Sequence, residues 1–176
     1  MVSVSGWPNL PATTPVTDSL GNTYYIAGTV LVSKGAYSAI YYAKNVKGGT
    51  NAITFKTVKS GGQISMVVAE FSGANPVSPL DGTVGSTGSG NVPSSGNMTP
   101  SLAGDLVIGS GTHNGNTVTL AGPGFTMIAI PTEDSNTHQP LAMEYQVLSG
   151  SQPISATFSM GAVYPWTQNG AIFKHR

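Results

Sequence analysis

The sequence predicts an all-β domain, an antiparallel two-sheet sandwich that is jelly-roll-like, with an immunoglobulin-like sandwich as the alternative. Apolar residues recur with a period of two, and nowhere with the period of 3.6 that marks a helix. The 23 glycines and 12 prolines separate these runs as turn signals at intervals of about eight to twelve residues. A chain of 176 residues, 39% of them hydrophobic, is the size of one domain with an ordinary core. Residues 1–176 are therefore predicted to form a single domain.

About ten short runs rich in β-branched and aromatic residues are the predicted strands. They span residues 24–27, 38–46, 51–58, 63–71, 105–110, 117–120, 125–130, 141–148, 154–159 and 171–175. Before them, Val2 and Val4 alternate with Ser3 and Ser5, as in a strand already in progress. The sequence KGGT at 47–50 predicts a hairpin turn between the second and third runs, because paired glycines supply the positive φ angles of tight turns.

Segment 75–101 is rich in Gly, Pro and Ser and predicts a helix-free surface excursion or an extended edge. A linker between two domains is the competing interpretation. The flanks would then be domains of only about 75 residues each, without cysteines to stabilise them, so we favour the surface excursion. The chain is expected to cross from one sheet to the other here.

The alternation within the predicted strands also predicts which residues form the core, since every second side chain faces the same way. The expected core residues are Ile40, Tyr42, Ile53, Phe55, Met66, Val68, Leu106, Ile108, Met143, Tyr145 and Phe173.

Charge excludes several classes of function. Lys plus Arg and Asp plus Glu number seven each, so the formal net charge is zero. No basic surface is predicted for nucleic acid, and no apolar run reaches the length of a membrane span, so membrane insertion is not expected.

Cysteine is absent, which removes disulfides, thiol nucleophiles and zinc-thiolate sites. A charge-poor chain of this kind is typical of secreted proteins, and we expect an extracellular or cell-surface location.

Several segments of the sequence resemble those of a known protein module. They are VTDSLGNTY at 16–24, IYYAKNV at 40–46 with its following glycine pair, AEFSG at 69–73, PLD at 79–81, GDLV at 104–107 and GAIF at 170–173. The chain resembles a poorly characterised β-sandwich module that recurs in large secreted multidomain bacterial proteins. The resemblance implies a modular, secreted β-sandwich and supplies no catalytic motif. In that family a strand pair precedes the first motif, and only residues 2–7 remain here. We therefore expect a domain excised from, or N-terminally shortened relative to, a larger protein.

Among the acids, Glu70 and Glu144 lie inside apolar runs, where burial could raise the pKa of a carboxyl group. They could form the acid/base pair of a glycoside-active enzyme. We favour the simpler interpretation that they are isolated or paired with Lys44 or Lys56. No G-x-S-x-G motif is present. No catalytic residue is predicted.

Metal binding has weak support from the sequence. His113, His138 and His175 lack the spacing of a metal site. Calcium is the more plausible ion, because carboxylate and amide oxygens are its ligands. The weak candidates are Asp18 and Asn22 in one turn and Glu133 and Asp134 in another. Ordinary turns explain both pairs of residues, so no cofactor is predicted. A calcium ion is the alternative.

Aromatic residues give the best functional signal, because Trp and Tyr stack on the apolar faces of sugar rings. The candidate ligand-binding residues are Trp7, Tyr24, Tyr25, Tyr164 and Trp166. One member of the Tyr24–Tyr25 pair should face outward from a strand. Tyr164 and Trp166 flank Pro165 in an expected turn. The competing interpretation is that Trp7 and Trp166 plug the two ends of the sandwich.

These observations favour a non-catalytic binding module for polysaccharide or another surface polymer. Its partners would be that carbohydrate or neighbouring domains of the same protein. Zero net charge favours a neutral polymer and weak salt dependence. The alternative is a structural or adhesive subunit of an extracellular stalk or filament, self-associating through its sheet edges. An enzyme ranks third.

Overall fold

The computed structural model describes residues 1–115, 119–129 and 140–176, and all of the regular secondary structure in these ranges is β. The strands are β1 (Val2–Trp7), β2 (Pro11–Asp18), β3 (Tyr24–Ile26), β4 (Leu31–Ser33), β5 (Ala36–Ala43), β6 (Ile53–Thr57), β7 (Gln63–Val68), β8 (Leu80–Gly90), β9 (Leu106–His113), β10 (Thr119–Ala121), β11 (Thr126–Ala129), β12 (Leu141–Val147), β13 (Phe158–Met160) and β14 (Tyr164–Phe173).

Two antiparallel sheets face each other. The first sheet has the order β3-β5-β1-β7, with β4 also paired to β5, and the second has the order β11-β12-β9-β14-β8. Two further strand pairs, β2 with β6 and β10 with β13, lie outside these sheets. The predicted all-β antiparallel sandwich is therefore confirmed.

One part of the interior between the sheets is apolar. Ile40 of the first sheet packs with Ile108 and Phe173 of the second, and all three side chains are buried. Phe173 also meets the ring of Tyr42 edge-on, with 5.3 Å between the ring centroids. Burial of such side chains is the main favourable contribution to folding.

Another part of the same interior is polar. Ser3 of β1 and Ser110 of β9 share a hydrogen bond between the sheets. Ser38 of β5 bonds Thr167 of β14 at 2.6 Å, and Asn169 donates to the same serine oxygen at 2.8 Å. All five side chains are buried, so these polar groups satisfy one another away from water.

The outer face of the first sheet is covered by β2 and β6, which we call the first cover. Val16 and Phe55 from this cover pack on Val4, Tyr37 and other outward residues of β1 and β5. Phe55 and Ile53, both expected in the core, are half-buried here rather than between the sheets. This arrangement makes the outward face of a sandwich strand as apolar as a core face.

The second cover, formed by β10, β13 and segment 91–101, lies over the outer face of the second sheet. Met98 in this segment is buried against Val107 and Ile172. Backbone hydrogen bonds join Ser95 to Ala156 and Met98 to Ile154, so the segment is fixed along its length. These buried residues differ from the surface excursion expected for 75–101.

The rest of that excursion is a long strand. β8 runs along β14 at the edge of the second sheet, in a segment that was not among the ten predicted strands. Two glycines of β8 make room for neighbouring side chains. A Cβ atom on Gly88 would lie 2.5 Å from the Trp166 ring, and one on Gly85 would lie 2.8 Å from Leu31. Over residues 80–90 the segment is therefore an extended edge, which was the alternative to a surface excursion.

β7 corrects the predicted core. Met66 is 39% exposed and Val68 is 46% exposed, whereas Val67 between them is buried. Val68 pairs with Val2 and Met66 with Val4, so these side chains share the outward face of the first sheet. The first cover packs on β1 and β5 but leaves β7 exposed. The alternation was right, and the assignment of its faces was wrong.

The other core predictions are met fully or partly. Ile40, Leu106, Ile108, Met143 and Phe173 are buried, whereas Tyr42 and Tyr145 are half-buried. The hairpin predicted at 47–50 is wrong, because β5 belongs to the first sheet and the next strand, β6, pairs with β2. The turn exists, but the chain passes through it from the sheet to the cover.

Candidate functional site

A cleft opens at the end of the first sheet where β5 and β7 end and β1 begins. Its volume is about 280 Å³. Leu106 and Phe173 of the second sheet are also part of its lining. The aromatic, amide and charged residues that line the cleft are Tyr24, Tyr42, Phe71, Asn45, Asn51, Asn75, Lys44, Lys47 and Glu70.

Two loops form much of the cleft wall. Residues 44–49 follow β5, and they turn because Asn45 (φ 50°) and Gly49 (φ 118°) adopt left-handed backbone conformations. Residues 69–75 follow β7 on another side. Asn75 accepts hydrogen bonds from the backbone amides of Val77 and Ser78, which fixes the end of this second loop.

Asp18 organises one wall of the cleft. Its carboxylate accepts hydrogen bonds from the backbone and side chain of Asn22, from the Tyr24 hydroxyl at 2.8 Å and from Asn51 at 2.9 Å. Burial by itself raises the pKa of Asp18, but the hydrogen bonds from Asn51, Asn22 and Tyr24 outweigh it and hold the pKa well below its usual range. The ionised carboxylate thereby orients Tyr24 and Asn51 toward the cleft.

The same hydrogen bonds bear on the calcium candidates. The Asp18 carboxylate is occupied by protein donors, and the Asn22 side-chain oxygen accepts from the Lys47 backbone amide. In this turn, Asp18 and Asn22 therefore bond to each other and to residues of the cleft wall. Glu133 and Asp134 lie outside the described residues. Within the described ranges, no group of three or more His, Asp or Glu side chains is placed to hold a metal ion.

A pair of tilted aromatic rings lies beside the cleft. Tyr25 of β3 is opposite Tyr42 of β5, and their ring centroids are 5.6 Å apart. Tyr25 is 44% exposed, and the Lys44 ammonium lies 5.7 Å from the centroid of its ring. Of the five predicted ligand-binding residues, the structure therefore places Tyr24 in the cleft and Tyr25 next to it.

The two tryptophans lie away from the cleft. Trp7 is at the opposite end of β1, where it is 46% exposed and its indole lies against Gly35. Tyr164 and Trp166 start β14, whose far end reaches the cleft at Phe173. The turn expected around Pro165 is wrong, because all three residues pair with β8.

Both rings at the start of β14 are half-buried. Trp166 packs on Gly88, and Tyr164 stacks on His113 with 5.9 Å between ring centroids. The predicted aromatic residues therefore do not form one continuous platform. The cleft residues that the sequence did not single out for ligand binding include Phe71, Asn45, Asn51, Lys44 and Lys47. Tyr42 was expected in the core. These residues lie in segments that are distant along the chain and come together only because of the order of the strands in the sheets.

Glu70 and Glu144 do not share a site. Glu70 is exposed and lines the cleft. Glu144 is fully buried under the second cover, where its two oxygens accept from the backbone amides of Gly122 and Thr157. Burial raises the pKa of Glu144 to about 7, although the two amide hydrogen bonds act in the opposite direction. Its role in this position is to join the second sheet to its cover.

Comparisons with known proteins gave no match to a family model, to a curated protein or to a solved structure. The described ranges contain no helix that is long and apolar enough to cross a membrane. The functional argument therefore rests on the cleft itself.

Proposed function

We propose that this protein is a non-catalytic, secreted module that binds a carbohydrate polymer, and that the cleft holds part of that polymer. The observation that carries the proposal is the composition of the cleft. Tyr24, Tyr42 and Phe71 supply aromatic surface, while Asn45 and Asn51 supply amide groups beside it. Stacking faces next to hydrogen-bonding groups are what a sugar ring requires.

The shape of the cleft favours a particular part of the polymer. A volume of about 280 Å³ is at the small end of the range for ligand pockets, so it accommodates one or two sugar units. Trp7 and Trp166 lie on different sheets and do not extend the site. We therefore favour a chain end or a branch of a soluble polymer over the flat face of an insoluble one.

The test is affinity electrophoresis of the protein in gels that contain soluble polysaccharides. Phe71→Leu and Tyr24→Leu remove aromatic faces from the cleft and should each weaken retention about fivefold, since one aromatic contact contributes about 1 kcal/mol. Trp7→Leu removes a comparable face at the other end of β1 and is the matched control. Retention that is lost with Trp7→Leu and kept by both cleft variants would place binding elsewhere and overturn the proposal.

A second candidate function is supported by β7. Ile64, Met66 and Val68 form an exposed apolar stripe on a strand that ends the first sheet in the described part of the chain. Such a stripe favours association with a second copy, as in the subunit of a stalk or filament. Size-exclusion chromatography distinguishes the candidates. Concentration-dependent oligomers that disappear with Met66→Lys would favour the structural subunit.

A further inference from the structure

The lining of the cleft has one more positive than negative side chain, which the balanced total of the whole chain conceals. Lys44 and Lys47 line it, with Glu70 as the acid among its lining residues. Within the described ranges the ion pairs are Lys174 with Asp81 and His175 with Asp105. Neither lysine of the cleft is therefore paired with a carboxylate there.

Both lysines are nevertheless held in place. The Lys44 ammonium donates to the carbonyl of Val77 at 2.5 Å, and the Lys47 ammonium donates to the carbonyl of Leu20 at 2.9 Å. The backbone of Lys47 is also fixed through Asn22. Because an ammonium group has three N–H donors, each lysine keeps donors for a ligand while its side chain is already ordered.

Asp18, which lies behind one wall of the cleft, is in no ion pair with either lysine. The Asp18 carboxylate is taken up by hydrogen bonds from Asn22, Tyr24 and Asn51. Glu70 is exposed and in no ion pair within the described ranges. An uncharged sugar would leave both ammonium groups without an anionic partner, whereas an anionic group would accept charge-assisted hydrogen bonds from their remaining donors.

We propose that the cleft recognises a sugar unit that carries an anionic group, either the carboxylate of a uronic acid or a sulfate ester. Lys44 and Lys47 contact the anion, and the aromatic and amide groups contact the rest of the ring. This inference rests on the proposed carbohydrate function and narrows its ligand class. It replaces the neutral polymer that the zero net charge of the whole chain favoured.

The test compares three soluble probes in affinity gels, namely polygalacturonate, dextran sulfate and unmodified dextran. We expect retention by at least one anionic probe that exceeds retention by dextran and decreases as NaCl is raised from about 0.05 to 0.5 M. The polygalacturonate and dextran sulfate arms distinguish a carboxylate from a sulfate. Lys44→Gln and Lys47→Gln should each weaken binding about threefold, the effect expected of one exposed ionic contact.

Lys59→Gln is the matched control, because Lys59 is exposed and lies outside the cleft lining, so the change in total charge is the same. An equal loss with Lys59→Gln would show general charge attraction and overturn the inference. Retention by dextran as strong as by the anionic probes, with the lysine variants unchanged, would also overturn it while leaving the carbohydrate function intact. Failure of every probe, together with failure of a wider panel of neutral polysaccharides, would overturn both.

Discussion

The interior between the two sheets contains two regions that are equally buried and chemically opposite. Around Phe173 and Ile40 the contacts are apolar, whereas around Ser38 and Asn169 hydroxyl and amide groups bond one another between the sheets. The same strands pass through both regions, since β5 carries Ile40 and Ser38, and β14 carries Phe173 and Asn169. Burial in this protein therefore does not identify apolar residues, and exclusion from water is tolerated where each polar group has a partner.

The largest effect is expected in the apolar region. Phe173→Ala removes a buried ring that packs on Tyr42 and Ile108, and it should lower the free energy of unfolding by about 3–5 kcal/mol. Phe55→Ala in the first cover should cost less, because Phe55 is half-buried. Urea unfolding of both variants measures the difference. Equal losses would mean that the first cover contributes as much stability as the interior between the sheets.

Glu144 tests a third kind of burial, in which an ionisable group lies under a cover. Glu144→Gln presents an amide NH₂ to one of two backbone donors, Gly122 or Thr157, and should cost about 1–3 kcal/mol near pH 5. The raised pKa of about 7 means that stability from the neutral carboxyl is fully present below pH 4.5 and is lost as the pH rises through about 7. The difference between the parent protein and the variant should therefore shrink as the pH is raised to about 8.

The His113 imidazole requires a control in that experiment. Burial lowers its pKa to about 4, so its contribution is present above its ordinary pKa of 6.5 and is lost as the pH falls through about 4. The parent and the Glu144→Gln variant share this behaviour, so subtraction of their urea midpoints at each pH isolates Glu144. A difference that grows with pH would contradict the raised pKa.

In the polar region, the loss of stability should depend on whether one or both partners of a hydrogen bond are removed. Ser38→Ala leaves Thr167 and Asn169 without their shared oxygen and should cost about 1–2 kcal/mol. The double variant Ser3→Ala with Ser110→Ala removes both members of a bonded pair and should be nearly neutral. Thermal unfolding of the two proteins gives the comparison. A double variant that is less stable than Ser38→Ala would argue that net hydrogen bonding stabilises this region.

The sequence was sufficient for the fold class and for the existence of most strands, because alternation and turn residues are local signals. It could not assign faces where both sides of a strand are covered. In β1, Val2 and Val4 face the first cover while Ser3 faces the second sheet, and nothing within the strand itself distinguishes that arrangement from its inverse. In β7 the reversed assignment of Met66 and Val68 has a different cause, because the outward face of this strand is apolar although no cover packs on it.

The candidate site was harder to predict for a related reason. Tyr24 and Tyr25 were found because adjacent aromatic residues in a strand are a local signal. Phe71, Asn51 and Lys47 are separated along the chain, and they meet only because β5 and β7 end where β1 begins. Tyr164 and Trp166 carry the same aromatic signal but lie outside the cleft, where Trp166 packs on the glycine-rich edge strand.

β8, the edge strand of the second sheet, tolerates mutation unevenly along its length. A stretch of small residues such as 80–90 would ordinarily be treated as replaceable and chosen for tags or insertions. Gly88 lies beneath the Trp166 ring, so even alanine there would collide with it, whereas alanine at Gly85 would displace the flexible end of Leu31. Gly82 has nothing within 4 Å of the position of a Cβ and should accept alanine. A saturation library across β8 would thus show an uneven pattern of permitted residues. The positions with the fewest permitted residues would be among its glycines.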